Sequence, residues 1–306
     1  MKEITSVAVV GAGAMGAMYA AHFAATGFRV RLVARGDRAH RLAQTGLTVN
    51  DVPLTAEVVD TDTGHHDPAD LVVFAVKHQQ LPAALDTVAP LVGPDTLFLS
   101  VLNGLDSEGV IAQRFDTADR VLLCIALAMD AERDGAAIRY RQVGKLVFGD
   151  PVGVPGVSAR VRRVQRAFDR AGLAWDTPAD MRHQMWWKFM VNTGINQASA
   201  ALRAPYGVFQ SDGPGRSLMW ALIDEVIAVG RAEGVKLGQA DRDLWDQVLA
   251  GQPTEGMTSM LQDVLAGRPT EVDIFAGRIM ELGQKHGIPT PHNQTLWWIL
   301  SSPWAD

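Results

Sequence analysis

The chain has 306 residues, which is enough for two medium-sized domains that each bury an apolar core. Hydrophobic residues make up 47% of it and charged residues 20%, an ordinary globular composition that excludes long disordered tracts. The formal net charge of -6 gives no basic excess for binding phosphate backbones, so we expect small-molecule ligands and no nucleic acid.

Cysteine and histidine usage bears on compartment and metals. The single cysteine, Cys124, lies in the apolar run VLLCIALAM, which predicts a buried thiol and a reducing, cytoplasmic environment. The eight histidines never fall at a metal-ligand spacing, so we expect no metal. Residues 4–28 lack Asp, Glu, Lys and Arg, but glycines interrupt this run, so we predict neither a targeting segment nor a membrane span.

A glycine-rich turn near the N-terminus is the strongest local motif. Residues 5–10 form a β-branched run that predicts a strand, and residues 17–26 are Ala-rich and predict a helix. Between them the sequence GAGAMG at 11–16 matches GxGxxG, and residues 28–34 predict a second strand. This order of strand, glycine turn, helix and strand is typical of dinucleotide binding.

Each glycine of the motif has a physical role in such a site. The first permits a tight turn, the second lets the backbone approach a pyrophosphate, and the third allows close packing of helix and strand. The helix N-terminus adds N–H groups for the anion. The predicted cofactor contacts are Gly11, Gly13, Ala14, Met15 and Gly16. The alternative is that the glycines serve only a tight turn.

The residue after the second strand bears on which dinucleotide binds. An NAD site usually carries Asp or Glu there to hold the ribose 2′-hydroxyl, whereas this chain has Arg35, with Arg38 close by. A guanidinium can form paired hydrogen bonds with a 2′-phosphate, so the sequence predicts NADP(H). The alternative is that both arginines are solvated loop charges, because Gly36 and Asp37 resemble a turn.

Three further strands are predicted at residues 71–76, 96–102 and 121–129. A helical segment at 80–91 lies between the first two, and the alternation indicates an α/β domain with a Rossmann-type doubly wound sheet. Lys77 follows one strand and Asn103-Gly104 follows the next. Because ligands bind at the carboxyl ends of such strands, we expect both residues to face the cofactor, although either can be an ordinary turn residue.

The second half of the chain changes character. Thr177-Pro178 breaks the chain, strand alternation stops, and long helical patterns follow at 180–202 and 215–233. We therefore predict an NADP-binding domain at residues 1–177 and a C-terminal all-helical, substrate-binding domain at residues 178–306. A homodimer through exposed apolar helix faces is compatible with this plan.

The helix at 180–202 carries a polar stripe, defined here as Lys188, Asn192 and Asn196. These residues are four apart, so each is displaced by about 40° from the last and all share one face of an otherwise apolar helix. A buried stripe needs partners; the alternative is that Lys188 snorkels to solvent. Glu271 is a candidate carboxylate, in the first turn of a helix predicted to begin at Pro269-Thr270, where the helix dipole alone would also favour it.

Two further groups have more than one interpretation. Thr258 and Ser259 supply hydroxyls that either cap a helix or bind a substrate carboxylate. The pairs Trp186-Trp187 and Trp297-Trp298 either line a bulky pocket or belong to the core, which we favour because large aromatic side chains are usually buried.

Together these residues resemble the ketopantoate reductase family, which reduces 2-dehydropantoate to pantoate with NADPH. The resemblance runs from the glycine turn to about Pro291. It rests on GAGAMG at 11–16, Lys77, Asn103-Gly104, the polar stripe and the segment SMLQDVLAGRPTEVD at 259–273. It implies that Lys188 is the general acid that protonates the carbonyl oxygen and that Glu271 binds and orients the reacting hydroxyl region.

The resemblance also implies contacts for the remaining residues. Asn103 would lie beside nicotinamide and substrate, and Arg35 would bind the 2′-phosphate. Asn192 and Asn196 would contact the substrate hydroxyl, and Ser259 its carboxylate. A lysine that is normally protonated at neutral pH suits a reaction in which negative charge develops on a ketone oxygen.

Three positions depart from the family pattern. Leu102 stands where Gln commonly precedes Asn-Gly, Ala276 stands before Gly277 where the family often has Asn, and residues 126–134 lack the Gly- or Thr-rich character frequent there. The open alternatives are a paralogue with the same hydride chemistry on another 2-oxo acid or an imine, and a noncatalytic NADPH sensor.

Overall fold

A computed structural model describes residues 3–151 and 156–302 of the chain. The chain divides into a first unit that ends at Met181 and a second that begins at Arg182. The elements of the first unit are β1 (Ser6–Val10), α1 (Ala14–Ala25), β2 (Arg29–Ala34), α2 (Gly36–Thr45), β3 (Thr48–Val49), β4 (Val52–Pro53), β5 (Glu57–Asp60), β6 (Leu71–Phe74), α3 (Leu81–Val88), β7 (Leu97–Ser100), α4 (Ser107–Arg114), β8 (Val121–Leu127), β9 (Glu132–Asp134), β10 (Ala137–Arg139), β11 (Lys145–Gly149), α5 (Ala159–Ala171) and β12 (Ala174–Asp176). Short 3-10 helices at His78–Gln80 and Ala89–Leu91 flank α3.

An eight-stranded sheet forms the centre of the first unit. Its order is β12-β11-β8-β7-β6-β1-β2-β5. The strands from β8 to β5 run parallel, whereas β11 runs antiparallel to β8. Every residue of β6 and β7 is buried, as continuous apolar runs such as LVVF require when a strand is covered on both faces.

Helices cover both faces of this sheet. On one face α1 and α5 bury Phe23 and Phe168, whose rings meet edge to face with centroids 5.7 Å apart. On the other face α3 and α4 contribute Leu85 and Ile111 to a separate apolar cluster. The predicted doubly wound α/β sheet is therefore confirmed, and Cys124 is a buried free thiol as expected.

Two features of this unit differ from the sequence interpretation. Gly36 and Asp37, whose resemblance to a turn was the basis of the alternative for Arg35 and Arg38, instead begin the helix α2, and the Asp60 carboxylate accepts the Gly36 N–H at 3.0 Å. A second sheet of order β4-β3-β10-β9 was not anticipated. Its strands are two or three residues long, too short to produce a recognisable alternation.

The described residues of the second unit form helices without strands, so the predicted helical character of this part is confirmed. Its elements are α6 (Met181–Leu202), α7 (Gly207–Gln210), α8 (Pro214–Ala232), α9 (Gln239–Ala250), α10 (Ser259–Leu265), a π-helix (Asp273–Gly277), α11 (Arg278–His286) and α12 (Pro291–Ser301). The long helix α6 packs closely on α8, since a Cβ at Gly194 would lie 2.5 Å from the Ile223 Cγ1. Over residues 3–151 and 156–302, the chain contains no helix with the length and apolarity required to span a bilayer.

Candidate active site

The glycine turn fits tightly against the sheet at two points and is open at a third. Gly11 has φ +101°, and a Cβ there would lie 2.5 Å from the Ala75 carbonyl oxygen. A Cβ at Gly16 would lie 2.0 Å from the Gly11 carbonyl oxygen. Gly13 has no atom within 4 Å of an added Cβ. The turn therefore presents open space only at the glycine expected to approach a pyrophosphate.

The start of α1 has the features that an anion needs. Gly13, Ala14 and Met15 are partly exposed, and no acidic residue lies in the first helical turn. The unpaired N–H groups at a helix start carry partial positive charge and favour a bound phosphate. These residues fit a dinucleotide pyrophosphate.

Arg133, on β9 of the small sheet, is a neighbour of this turn that sequence reasoning missed. Its guanidinium donates a hydrogen bond of 2.5 Å to the Ala12 carbonyl oxygen and another of 2.8 Å to the Gly135 carbonyl oxygen. It therefore places a cation at the glycine turn. No local signal marks this role, because 121 residues separate the two partners in the chain.

The strands that carry the other predicted cofactor residues are neighbours in the sheet. β1, β6 and β7 lie side by side, and hydrogen bonds continue just past their ends, from the Ala75 N–H to Val10 at 2.9 Å and from the Val101 N–H to Phe74 at 3.0 Å. Lys77 and Asn103 follow within two residues, Lys77 exposed and Asn103 partly buried. We call this sheet end, with Gly11, Arg35, Lys77 and Asn103, the cofactor edge.

Arg35 directly follows β2 and precedes α2. It is paired with an acid, since its Nε and Nη2 both lie 2.7 Å from the Asp62 Oδ1. Both side chains are about half exposed, at 50% and 44%. Arg38 is an exposed residue of α2. The arginine expected to meet a 2′-phosphate is thus at the predicted place and already has an acidic partner.

In the second unit, the polar stripe lies on one continuous helix. Lys188 and Asn192 are partly buried and Asn196 is 7% exposed, whereas their neighbours Phe189 and Ile195 are buried. Because α6 is unbroken from Met181 to Leu202, the spacing of four residues does align the stripe. Lys188 is not a fully exposed side chain.

Two other segments of the second unit pack against α6 near the stripe. Phe189, next to Lys188, meets Phe275 of the π-helix with ring centroids 6.0 Å apart. Further along α6, the Thr258 Oγ1 donates a hydrogen bond of 3.2 Å to the Ser199 Oγ. The segments that carry Glu271 and Ser259 are thereby held beside the helix that carries the stripe.

Glu271 and Ser259 differ in detail from the sequence expectation. The helix starts later than predicted, at Asp273 with Val272 as its N-cap, so Glu271 precedes its first turn. The Glu271 carbonyl accepts the Ile274 N–H at 3.2 Å in the turn that leads into the helix. Thr258, not Ser259, caps α10, accepting the Leu261 N–H at 3.1 Å. Ser259 is exposed at the first position of that helix.

The four tryptophans divide between core and surface. Trp186 is 5% exposed and lies in the core, as favoured. Trp187 and Trp297 are partly exposed, and each donates its Nε1–H, to the Asp241 carbonyl oxygen at 3.2 Å and to the Asp273 Oδ1 at 2.8 Å. Trp298 is 56% exposed, so the core interpretation is wrong for it. Trp297 also lines a groove of about 710 Å³ beside the π-helix and α11.

The residues that depart from the family pattern occupy constrained positions. Leu102 is 7% exposed just before Asn103, and Ala276 is fully buried inside the π-helix. Ala128 has φ +57°, a left-handed conformation that favours glycine. The backbone at Ala128 is therefore strained for a residue that carries a Cβ.

Comparison with known proteins matches both parts of the chain to one family. A family model described as "Ketopantoate reductase PanE/ApbA" matches residues 7–153, and one described as "Ketopantoate reductase PanE/ApbA C terminal" matches residues 180–302. The "2-dehydropantoate 2-reductase" of Mesorhizobium japonicum is 29% identical, with 93% of each chain covered. That of Vibrio cholerae is also 29% identical, with 95% of each covered.

Solved structures share the fold over almost the whole length. A PanE/ApbA family ketopantoate reductase from Ralstonia eutropha JMP134 is 27% identical, with a TM-score of 0.82 and 97% of each chain covered. A D-mandelate dehydrogenase bound to NADH and anilino(oxo)acetate is 21% identical, with a TM-score of 0.84 and the same coverage, a likeness of fold alone. Since the two family models together match most of its length, the chain belongs to the ketopantoate reductase family of nicotinamide-dependent oxidoreductases.

Proposed function

We propose that the chain catalyses the NADPH-dependent reduction of 2-dehydropantoate to pantoate. The observation that carries this proposal is the packing of the Glu271 and Ser259 segments against α6, the helix of the polar stripe. The names of the curated relatives support the substrate. The open start of α1, which has no acidic residue in its first turn, and the position of Arg35 support a phosphorylated dinucleotide.

A bound nicotinamide supplies the hydride. As the ketone carbon becomes tetrahedral, negative charge develops on its oxygen, and the ammonium group of Lys188 donates a hydrogen bond to that oxygen and then transfers its proton. Partial burial of Lys188 reduces competition from water for that hydrogen bond. Lys188 is thus both electrostatic stabiliser and general acid.

The other residues orient the substrate in this proposal. Glu271 binds and orients the reacting hydroxyl region, Asn192 and Asn196 contact the substrate hydroxyl, and Ser259 binds the carboxylate. At the cofactor edge, Asn103 and Lys77 contact the dinucleotide. Its pyrophosphate lies against the glycine turn formed by Gly11, Gly13, Ala14, Met15 and Gly16. Arg35 meets the 2′-phosphate.

Replacing Lys188, the proposed general acid, tests its role in catalysis separately from the binding of NADPH. We expect Lys188→Ala to lower kcat about 100- to 10,000-fold while the Kd for NADPH is unchanged, because a general acid acts on the reacting oxygen. Lys236→Ala is the control, an exposed lysine of the same unit. Steady-state turnover and fluorescence titration of NADPH measure the two effects. Unchanged turnover in Lys188→Ala would refute the assigned acid.

The substrate assignment is tested by turnover of a panel of 2-oxo acids. NADPH oxidation is followed with ketopantoate, pyruvate and the aromatic phenylglyoxylate, with NADH as the paired control. We expect the highest kcat/KM with ketopantoate. A preference for another 2-oxo acid would leave the proposed hydride transfer in place but overturn the substrate assignment. The altered positions Leu102 and Ala276 would then account for the different specificity. NADPH binding without turnover of any substrate would favour the sensor alternative.

A further inference from the structure

Two carboxylates, those of Asp60 and Asp62, lie at the part of the cofactor edge that contains Arg35. The sequence around Arg35 does not indicate them. The guanidinium of Arg35 donates a hydrogen bond from Nε to the Asp62 Oδ1 at 2.7 Å, and its Nη2 lies 2.7 Å from the same oxygen in an ion pair. These are among the donors that a 2′-phosphate would need. The arginine is therefore paired internally before any ligand arrives.

A second carboxylate fixes this pair in place. Asp60 ends β5, the edge strand beside β2, and its Oδ1 accepts the Gly36 N–H at 3.0 Å and the Asp62 N–H at 3.1 Å. The same oxygen thus ties the start of α2 to the backbone of Asp62. Asp62 is held next to Arg35 by its own backbone, not only by the attraction of the two side chains.

We propose that Asp62 is a specificity-determining residue that weakens the binding of a 2′-phosphate at this site. It thereby makes the affinities for NADPH and NADH more alike. The inference rests on the proposed use of the cofactor edge for a nicotinamide dinucleotide. A 2′-phosphate must compete with Asp62 for the Arg35 guanidinium. It then remains close to the negatively charged Asp62 carboxylate, and this repulsion costs free energy. A 2′-hydroxyl meets no such repulsion and can itself donate to a carboxylate.

The test compares two variants that remove equivalent charges. Asp62→Asn keeps the shape of the side chain and removes its charge. Glu57→Gln removes a carboxylate from the other end of β5, where it pairs with Arg29 at 3.2 Å and both side chains are again about half exposed, at 52% and 49%. Both variants change net charge by the same amount. Only the first lies at the cofactor edge.

Binding is measured directly by calorimetric titration of the full chain with NADPH, NADH and 2′,5′-ADP. Because exposed ion pairs are weak, we expect Asp62→Asn to tighten NADPH and 2′,5′-ADP by about two- to fivefold while NADH changes little. Glu57→Gln should leave all three unchanged. In an Arg35→Gln background the gain from Asp62→Asn should be smaller, because only the repulsion between the carboxylate and the phosphate is then relieved.

The outcomes distinguish this inference from the proposed function. If the unmodified chain binds neither dinucleotide, the proposed function fails and the inference fails with it. If the chain binds NADPH and Asp62→Asn weakens that binding, Asp62 orients Arg35 for the phosphate and only the inference is overturned. An unchanged ratio of NADPH to NADH affinity overturns it as well.

Discussion

Gly16 and Gly13 of the glycine turn have different surroundings, so we expect a substitution by alanine to have different effects at the two positions. Gly16→Ala forces a Cβ to within 2.0 Å of a backbone oxygen, so we expect a loss of about 1–3 kcal/mol in unfolding free energy. Gly13→Ala places its Cβ in open space, so stability should fall by about 1 kcal/mol at most. The same methyl group occupies the space through which a pyrophosphate approaches.

Thermal melts and NADPH titration together check this pair. Gly13→Ala should melt near the parent Tm and bind NADPH more weakly, whereas Gly16→Ala should melt lower. Normal NADPH affinity in a well-folded Gly13→Ala variant would contradict a cofactor role for the turn.

His22 predicts a pH dependence of stability at the residue scale. Burial lowers the pKa of His22 below its ordinary value of 6.5, and its Nε2 lies 3.1 Å from the Tyr140 hydroxyl. Below pH 6.5 the unfolded chain therefore takes up a proton at this histidine before the folded chain does. The contribution of neutral His22 to stability is complete above that pH and is lost as pH falls towards the folded pKa.

Unfolding free energies measured from pH 8 to pH 5 check the prediction for His22. We expect His22→Gln to flatten the fall in stability below pH 6.5, whereas His65→Gln, at an exposed loop position of the same unit, should keep the parent slope. Parallel profiles for the parent and His22→Gln would rule out this histidine as a source of the pH dependence.

At the scale of elements, Glu225 of α8 supports the start of α12. Glu225 is 8% exposed, and its carboxylate accepts the backbone N–H groups of His292 and Asn293 at 2.8 and 3.0 Å and the Asn293 Nδ2–H at 2.7 Å. A buried carboxylate that satisfies helix N-terminal donors is stabilising, and removing it leaves those donors unpaired.

We therefore expect Glu225→Ala to lower the unfolding free energy by about 2–4 kcal/mol. The exposed Glu255→Gln is the control and should change it by about 0.5 kcal/mol or less. Urea denaturation followed by tryptophan fluorescence measures both. A loss below about 1 kcal/mol in Glu225→Ala would show that water replaces the carboxylate at the helix start.

Helices and strands were predictable from the sequence where the residues that determine them lie close together in the chain. The order β1, glycine turn, α1 and β2 follows from residue types within one short stretch, and α6 follows from its length and periodicity. The pairing of β3 with β10 joins Thr48 to Ala137, and no local pattern encodes a contact of that sequence separation. The start of α2 depends similarly on Asp60, which lies 24 residues beyond Gly36.

At the scale of the whole molecule, the composition and the change from alternating strands to long helices were sufficient to predict the class of fold. They were not sufficient for the candidate site, because its partners come from distant parts of the chain. Arg35 was predicted, but its pairing with Asp62 was not, since it depends on β5 lying beside β2. A homodimer stays a prediction; Trp298 and Ile299 of α12 supply exposed apolar surface.

The π-helix Asp273–Gly277 has a consequence for residue numbering between relatives. A π-turn holds one residue more than an α-turn, and each extra residue rotates what precedes it by about 100° around the axis. An ungapped alignment anchored on α11 would therefore place Glu271 one residue out of register with its counterpart in a relative that is α-helical there, and would pair that counterpart with Val272. A one-residue gap placed within the π-helix restores the correspondence.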